Sequence, residues 1–134
     1  MTDQEAKRQT LRYTQEISLT DVDLLQAFLR ARTARLANAE RGTDERQLAR
    51  SVRTAARHLV TSLQHMLPLT EKGDEAPRVL QIEIRVSWNA LWSLVSPWQW
   101  HEDYDLERWR PVKVWSATSG IRFDDISERD GPSP

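Results

Sequence analysis

Apolar residues recur along this chain at three-four spacing, and three segments keep that rhythm long enough to predict helices. The first opens at Thr20, a good N-cap with Asp21 and Asp23 in the turn behind it. Val22, Leu25, Leu29, Arg32, Leu36 and Ala39 form its stripe, widened by Leu24 and Phe28. Arg32 interrupts the stripe, but its stem can lie along apolar surface while its head reaches water. Gly42 stands where a left-handed cap belongs, so the helix is expected over residues 21–41.

Thr43 is the next N-cap, followed by Asp44 and Glu45. Leu48, Val52, Ala55, Leu59, Leu63 and Met66 make the second stripe, with Ala56, Val60 and Leu67 beside it, and Pro68 ends it. The turn between the two helices is short enough to fold them into an antiparallel hairpin, and Ala49, Ala55 and Ala56 permit close approach. Residues 68–78 read as a loop. The next run, Leu80 to Trp88, alternates as a strand would, yet Leu80, Ile84, Trp88, Leu91 and Val95 also form a helical stripe. The apolar segment continues to Val95 without a turn residue, which favours a helix over about residues 78–95. With Ile82 and Val86 as a second flank, it should be the most buried of the three.

Outside these segments the pattern weakens. Residues 3–16 predict a short N-terminal helix docked by Leu11 and Ile17. Beyond Pro97 the chain should be irregular, with a turn at Asp105–Trp109 and an extended or edge-strand piece at Val112–Trp115. Residues 117–134 are small, polar and charged and are expected to be a disordered tail, with a brief contact from Ile121 and Phe123. The expected fold class is therefore all-α: a single domain over residues 1–116, built as a three-helix bundle with an aromatic-rich C-terminal segment.

Composition supports this. Four glycines in 134 residues are too few for the turns of an all-β protein. The absence of cysteine excludes disulfides and thiolate metal sites. No apolar run approaches the roughly 20 residues of a membrane span, and the first residues lack a signal-peptide core, so a cytoplasmic location is expected. The net charge is −1, but residues 30–58 hold eight arginines against three acidic residues, a local balance of +5.

Two groups of residues carry candidate chemistry. All six tryptophans lie within residues 88–115. Trp88 and Trp92 belong to the third helical stripe. Trp98, Trp100, Tyr104, Arg108, Trp109 and Arg110 either close over the end of the bundle or form a contact surface, because aromatics beside arginines are frequent at binding hot spots. The second group is the ladder Arg46, Arg50, Arg53 and Arg57, which shares one side of the second helix and can meet phosphates or simply face water. His58 and His65 lack carboxylates at metal-site spacing, and the segment from His101 to Asp105 lacks the glycine of a calcium loop. His101 with Asp103, Tyr104 and Asp105 can supply acid–base groups, but no phosphate-loop, dinucleotide or nucleophile-elbow motif accompanies them. The arrangement Trp88-x-x-Leu91, Pro97-Trp98 and Tyr104-Asp105-x-x-Arg108-Trp109 resembles small proteins of actinobacteria and their plasmids or phages, a resemblance that implies no activity. The expected function is a non-enzymatic interaction or regulatory protein, of a plasmid- or phage-borne accessory kind. It needs no cofactor or metal and meets a protein partner through the tryptophan segment. The alternative is a nucleic-acid-binding module using the arginine ladder.

Overall fold

The computed structural model describes residues 10–70 and 77–114. Three helices carry it: α1 (Leu19–Ala37), α2 (Asp44–Met66) and α3 (Arg78–Val95). The helical class is as expected, and no described helix is long and apolar enough to cross a membrane.

The helix ends follow local chemistry. α1 starts earlier than Thr20 suggests because Ser18 caps it. Ser18 Oγ accepts from the Asp21 N–H at 3.2 Å, and the Asp21 carboxylate accepts from the Ser18 N–H at 2.9 Å. This reciprocal box satisfies two donors at once, and of the two places where the spacing recurs, Ser18 with Asp21 and Thr20 with Asp23, the chain uses the first. α1 also stops at Ala37, short of the expected residue 41. Gly42 does adopt the left-handed backbone, with φ of 85°, but inside the turn that leads into α2. Thr43 caps α2 as expected, accepting from the Arg46 N–H at 3.3 Å. Pro68 has no N–H to continue that helix, and a 3₁₀ turn, Leu67–Thr70, follows. Residues 80–88 are helical, and α3 ends two residues before Pro97.

The core joins Val22, Leu25, Phe28 and Leu29 of α1, Ala56, Val60 and Leu63 of α2, and Ile84, Trp88, Leu91 and Val95 of α3. Two stripes differ from expectation. On α1 the buried positions run on through Thr33 and Ala37, while Leu24 and Leu36 face solvent. On α2 the seam is rotated: Ala49 and Ala56 are buried, and Leu48 is 66% exposed. The small residues Ala37, Ala49 and Ala56 line the seam where the larger leucines would hold the two helices apart. α3 is the most enclosed of the three helices, as expected, although Val79, 69% exposed, and Val86 face outward.

The N-terminal segment departs from the expected helix. Residues 3–9 lie outside the described part; residues 11–13 are extended, and Thr14–Glu16 make one 3₁₀ turn. Leu11 and Ile17 are nevertheless buried, as their apolar character predicts. The extended form arises because its backbone pairs with residues 108–113. Leu11 N–H donates to the Arg108 carbonyl (3.2 Å), Lys113 N–H to Arg12 (2.8 Å) and Thr14 N–H to Lys113 (3.0 Å), with a parallel bridge between Tyr13 and Lys113.

On the opposite side, residues 109–112 are held by side chains of α3. The Trp88 indole N–H donates to the Arg110 carbonyl at 2.8 Å, and the Trp92 N–H to the Trp109 carbonyl at 3.1 Å. The Asn89 carboxamide pairs with both polar groups of Val112: its Nδ2 donates to the carbonyl (3.1 Å) and its Oδ1 accepts from the N–H (2.8 Å). Asn89 thus does for Val112 what a neighbouring strand would do. Trp115, Ile121, Phe123 and the expected tail at 117–134 lie outside the described residues.

Asn89→Ala leaves the buried Val112 with two polar groups unpaired. The expected loss is about 1–3 kcal/mol, read from urea unfolding. Ser93→Ala, an exposed change on the same helix, is expected to stay within about 0.5 kcal/mol.

Candidate functional site

The tryptophan segment turns mostly inward. Phe28 of α1 stands at the centre of a ring cluster, with Tyr104 at 5.6 Å, Trp109 at 5.4 Å and His101 at 5.7 Å between centroids, all edge-on. Tyr104 and Trp109 meet edge-on at 5.0 Å. The Arg32 guanidinium lies 5.5 Å from the Phe28 ring and against His101 Nε2. Arg32 is therefore roofed by the aromatic loop, where the sequence pattern had its head in water. The expected turn is present: Asp105 Oδ1 accepts from the Arg108 N–H at 3.1 Å, and the Asp105 carbonyl accepts from Trp109 at 2.8 Å.

Of the six residues expected at a contact surface, three are structural. Trp109 is 5% exposed and Tyr104 is equally enclosed. Arg108 reaches back to α1 and grips Asp21 with two bonds, Nε to Oδ1 at 2.6 Å and Nη2 to Oδ2 at 2.8 Å. Asp21 is itself buried and already caps α1, so a fork-shaped cation completes its shell. The hydrogen bond to the Asp21 carboxylate raises the Arg108 pKa above its ordinary value, so the guanidinium keeps its charge. Trp98 is half-buried against the core. Only Trp100, 77% exposed, and Arg110 present their side chains openly to solvent. The physical reason is that Phe28 offers edge-on partners to the rings, and the buried carboxylate of Asp21 requires a cation. The signal in the sequence was the Ser18-x-x-Asp21 spacing, which marks an N-terminal box and hence a buried carboxylate.

The arginine ladder gives the opposite result. Arg50, Arg53 and Arg57 line a cavity of about 300 Å³ between α1 and α2, together with Arg30 from α1. Its floor is Leu29, Ala37 and Ala56, and its other polar neighbours are Gln26, Asn38 and Thr54. The alanines leave the room, and the arginines rim it. Arg53 is fixed in place: its Nε donates to Thr33 Oγ1 and its Nη2 to the Arg30 carbonyl, both at 2.8 Å. Thr33 Oγ1 in turn donates to the Leu29 carbonyl at 2.8 Å. Arg30, Arg50 and Arg57 are exposed, and among the described residues no carboxylate pairs with them. Arg46 does not join the group, since its guanidinium is turned to the Ala39 carbonyl at 2.9 Å. Arg30 and Thr33 escape a search of single-helix periodicity because they belong to the other helix.

His58 and His65 lie exposed on α2, and among the described residues no cluster of three metal-binding side chains forms. Compared with protein-family models, with curated proteins and with solved structures, the chain has no match.

Burial raises the pKa of the Tyr104 phenol above its ordinary value of 10.0. The folded protein keeps that proton where the unfolded chain sheds it. Its contribution is fully present below about pH 10 and is lost as pH rises through the folded-state value. Wild type is therefore expected to lose stability more steeply than Tyr104→Phe between about pH 9 and pH 11, followed by urea midpoints; parallel curves would contradict this.

Proposed function

We propose that this protein is a non-enzymatic binding protein that holds an anionic partner in the arginine cleft between α1 and α2. The observation that carries this reading is the composition of the cleft: among the described residues, four arginines line it and no carboxylate does. Like charges gathered so closely repel one another, and an anion relieves that repulsion while gaining charge-assisted hydrogen bonds. The reading rests on an antiparallel α1–α2 hairpin packed on α3, with Arg46 bonded to Ala39 in the turn and Arg53, further along α2, bonded back to Arg30 on α1. It belongs to a regulatory protein acting in the cytoplasm.

Heparin-agarose tests it. A protein with a net charge of −1 has no general reason to bind a polyanion. Wild type is expected to be retained at low salt and to elute as salt rises, and the pair Arg50→Glu with Arg57→Glu to flow through with an unchanged melting temperature. Passage of wild type through the column at low salt would overturn the reading.

A protein-partner surface in the tryptophan segment is a second reading, and the 77% exposure of Trp100 favours it. It is now reduced to Trp100, Arg110 and the outer edge of Trp98. Trp100→Ala is expected to move stability by less than about 0.5 kcal/mol, whereas Trp109→Ala costs about 3–5 kcal/mol. A stability loss at Trp100 of the Trp109 size, measured by thermal or urea unfolding, would place that ring in the core and remove the surface.

A further inference from the structure

We infer that the cleft takes a compact ligand carrying two or more linked phosphates, and that it recognises the phosphate chain alone. This rests on the anionic-cleft reading above and goes on to name the ligand's chemistry. Size comes first. A cavity of about 300 Å³ lies at the small end of ligand pockets and is a concave recess between two helices, not a long track. A duplex meets a protein over a far larger surface.

Charge sets the number of phosphates. One phosphate group carries roughly −1.5 to −2 at neutral pH. Four guanidinium groups line the recess, so a single phosphate leaves about half of their charge unmatched, whereas two or three linked phosphates match it. The donors also divide by role. Arg53 is pinned through Thr33 and the Arg30 carbonyl and acts as a positioned back wall. Arg30, Arg50 and Arg57 are exposed on the rim and can close on phosphate oxygens with paired N–H groups.

The floor excludes base recognition. Single-stranded nucleic acid and nucleobases are held largely by stacking on aromatic rings. Among the described residues no aromatic side chain lines this cleft; its apolar floor is Leu29, Ala37 and Ala56. A nucleoside triphosphate and inorganic tripolyphosphate should therefore bind alike, through what they share.

Isothermal titration of the full chain, with orthophosphate, tripolyphosphate, adenosine triphosphate without metal, and a 20-base-pair DNA duplex, tests this. Tripolyphosphate and the nucleotide are expected to bind within about threefold of each other. Both should be tighter than orthophosphate by at least about tenfold, the value of one added charge-assisted bond. Arg30→Gln with Arg50→Gln should weaken both by tenfold or more without changing the melting temperature, because both side chains are exposed. If the duplex binds more tightly than tripolyphosphate and depends on the same arginines, the anionic cleft stands and the compact-ligand inference falls. A nucleotide bound far more tightly than tripolyphosphate overturns the phosphate-only recognition. If none of these anions binds, or binding ignores the arginine changes, both the inference and the cleft reading fall.

Discussion

The backbone of residues 109–113 runs between α3 and the extended residues 11–13, and its polar groups must find partners there because apolar side chains enclose it on both sides. Val112 and Val114 are buried, as are Leu11 and Trp88 beside them. An unpaired amide or carbonyl in such a place costs more than a normal hydrogen bond gains. Among the described residues a single bridge, Tyr13 to Lys113, stands where a sheet would provide a ladder. The chain uses instead two indoles and a carboxamide from one side of α3, and on the other side the N-terminal backbone. This requirement explains why the N-terminal segment is extended, why the third helix carries Trp88, Asn89 and Trp92, and why the C-terminal segment keeps one course without being helical.

The Asp21–Arg108 pair ties this layer to α1. Its carboxylate caps the helix, and its arginine begins the extended run, so one buried group fixes the start of α1 and the position of residue 108 together. Breaking such a pair by removing one partner costs about 3–5 kcal/mol, since the remaining charge is stranded. Arginine thus has two separate uses in this chain. Arg108 and Arg46 satisfy acceptors of the fold, while Arg30, Arg50 and Arg57 stand at a recess where, among the described residues, no carboxylate pairs with them. Flanking tryptophans drew the sequence reading to Arg108, and the buried Asp21 is what redirects that residue to structure.

Much of the helical content was legible because periodicity and caps agree. Thr43 and Pro68 bracket α2, and Pro77 and Pro97 bracket α3. The ends of α1 were less so, because Ser18 with Asp21 competes with Thr20, and a glycine fit for a cap serves the following turn. The alanines of α2 were legible as a place of close approach, but not the rotation that buries Ala49 and Ala56 and exposes Ala55 and Leu48, because neighbouring apolar positions fit either stripe. Non-local facts were the hardest to read. Neither the partner of Arg108, 87 residues away, nor the carboxamide pairing of Asn89 with Val112 leaves a periodic trace. The cleft was half visible: three of its arginines lie on one helix and recur regularly, but the fourth and the threonine that positions Arg53 come from the other helix.

Hydrogen exchange at the Val112 amide tests the central claim most directly, because that N–H is bonded to a side chain of α3 and to no regular secondary structure. If residues 109–113 are an integral layer of the fold, this amide should exchange only in the opening that exposes the core amides of α3, such as those of Trp88 and Leu91, with a matching free energy. Exchange at the rate of an exposed loop, while α3 remains protected, would show that the segment opens independently and would contradict the account.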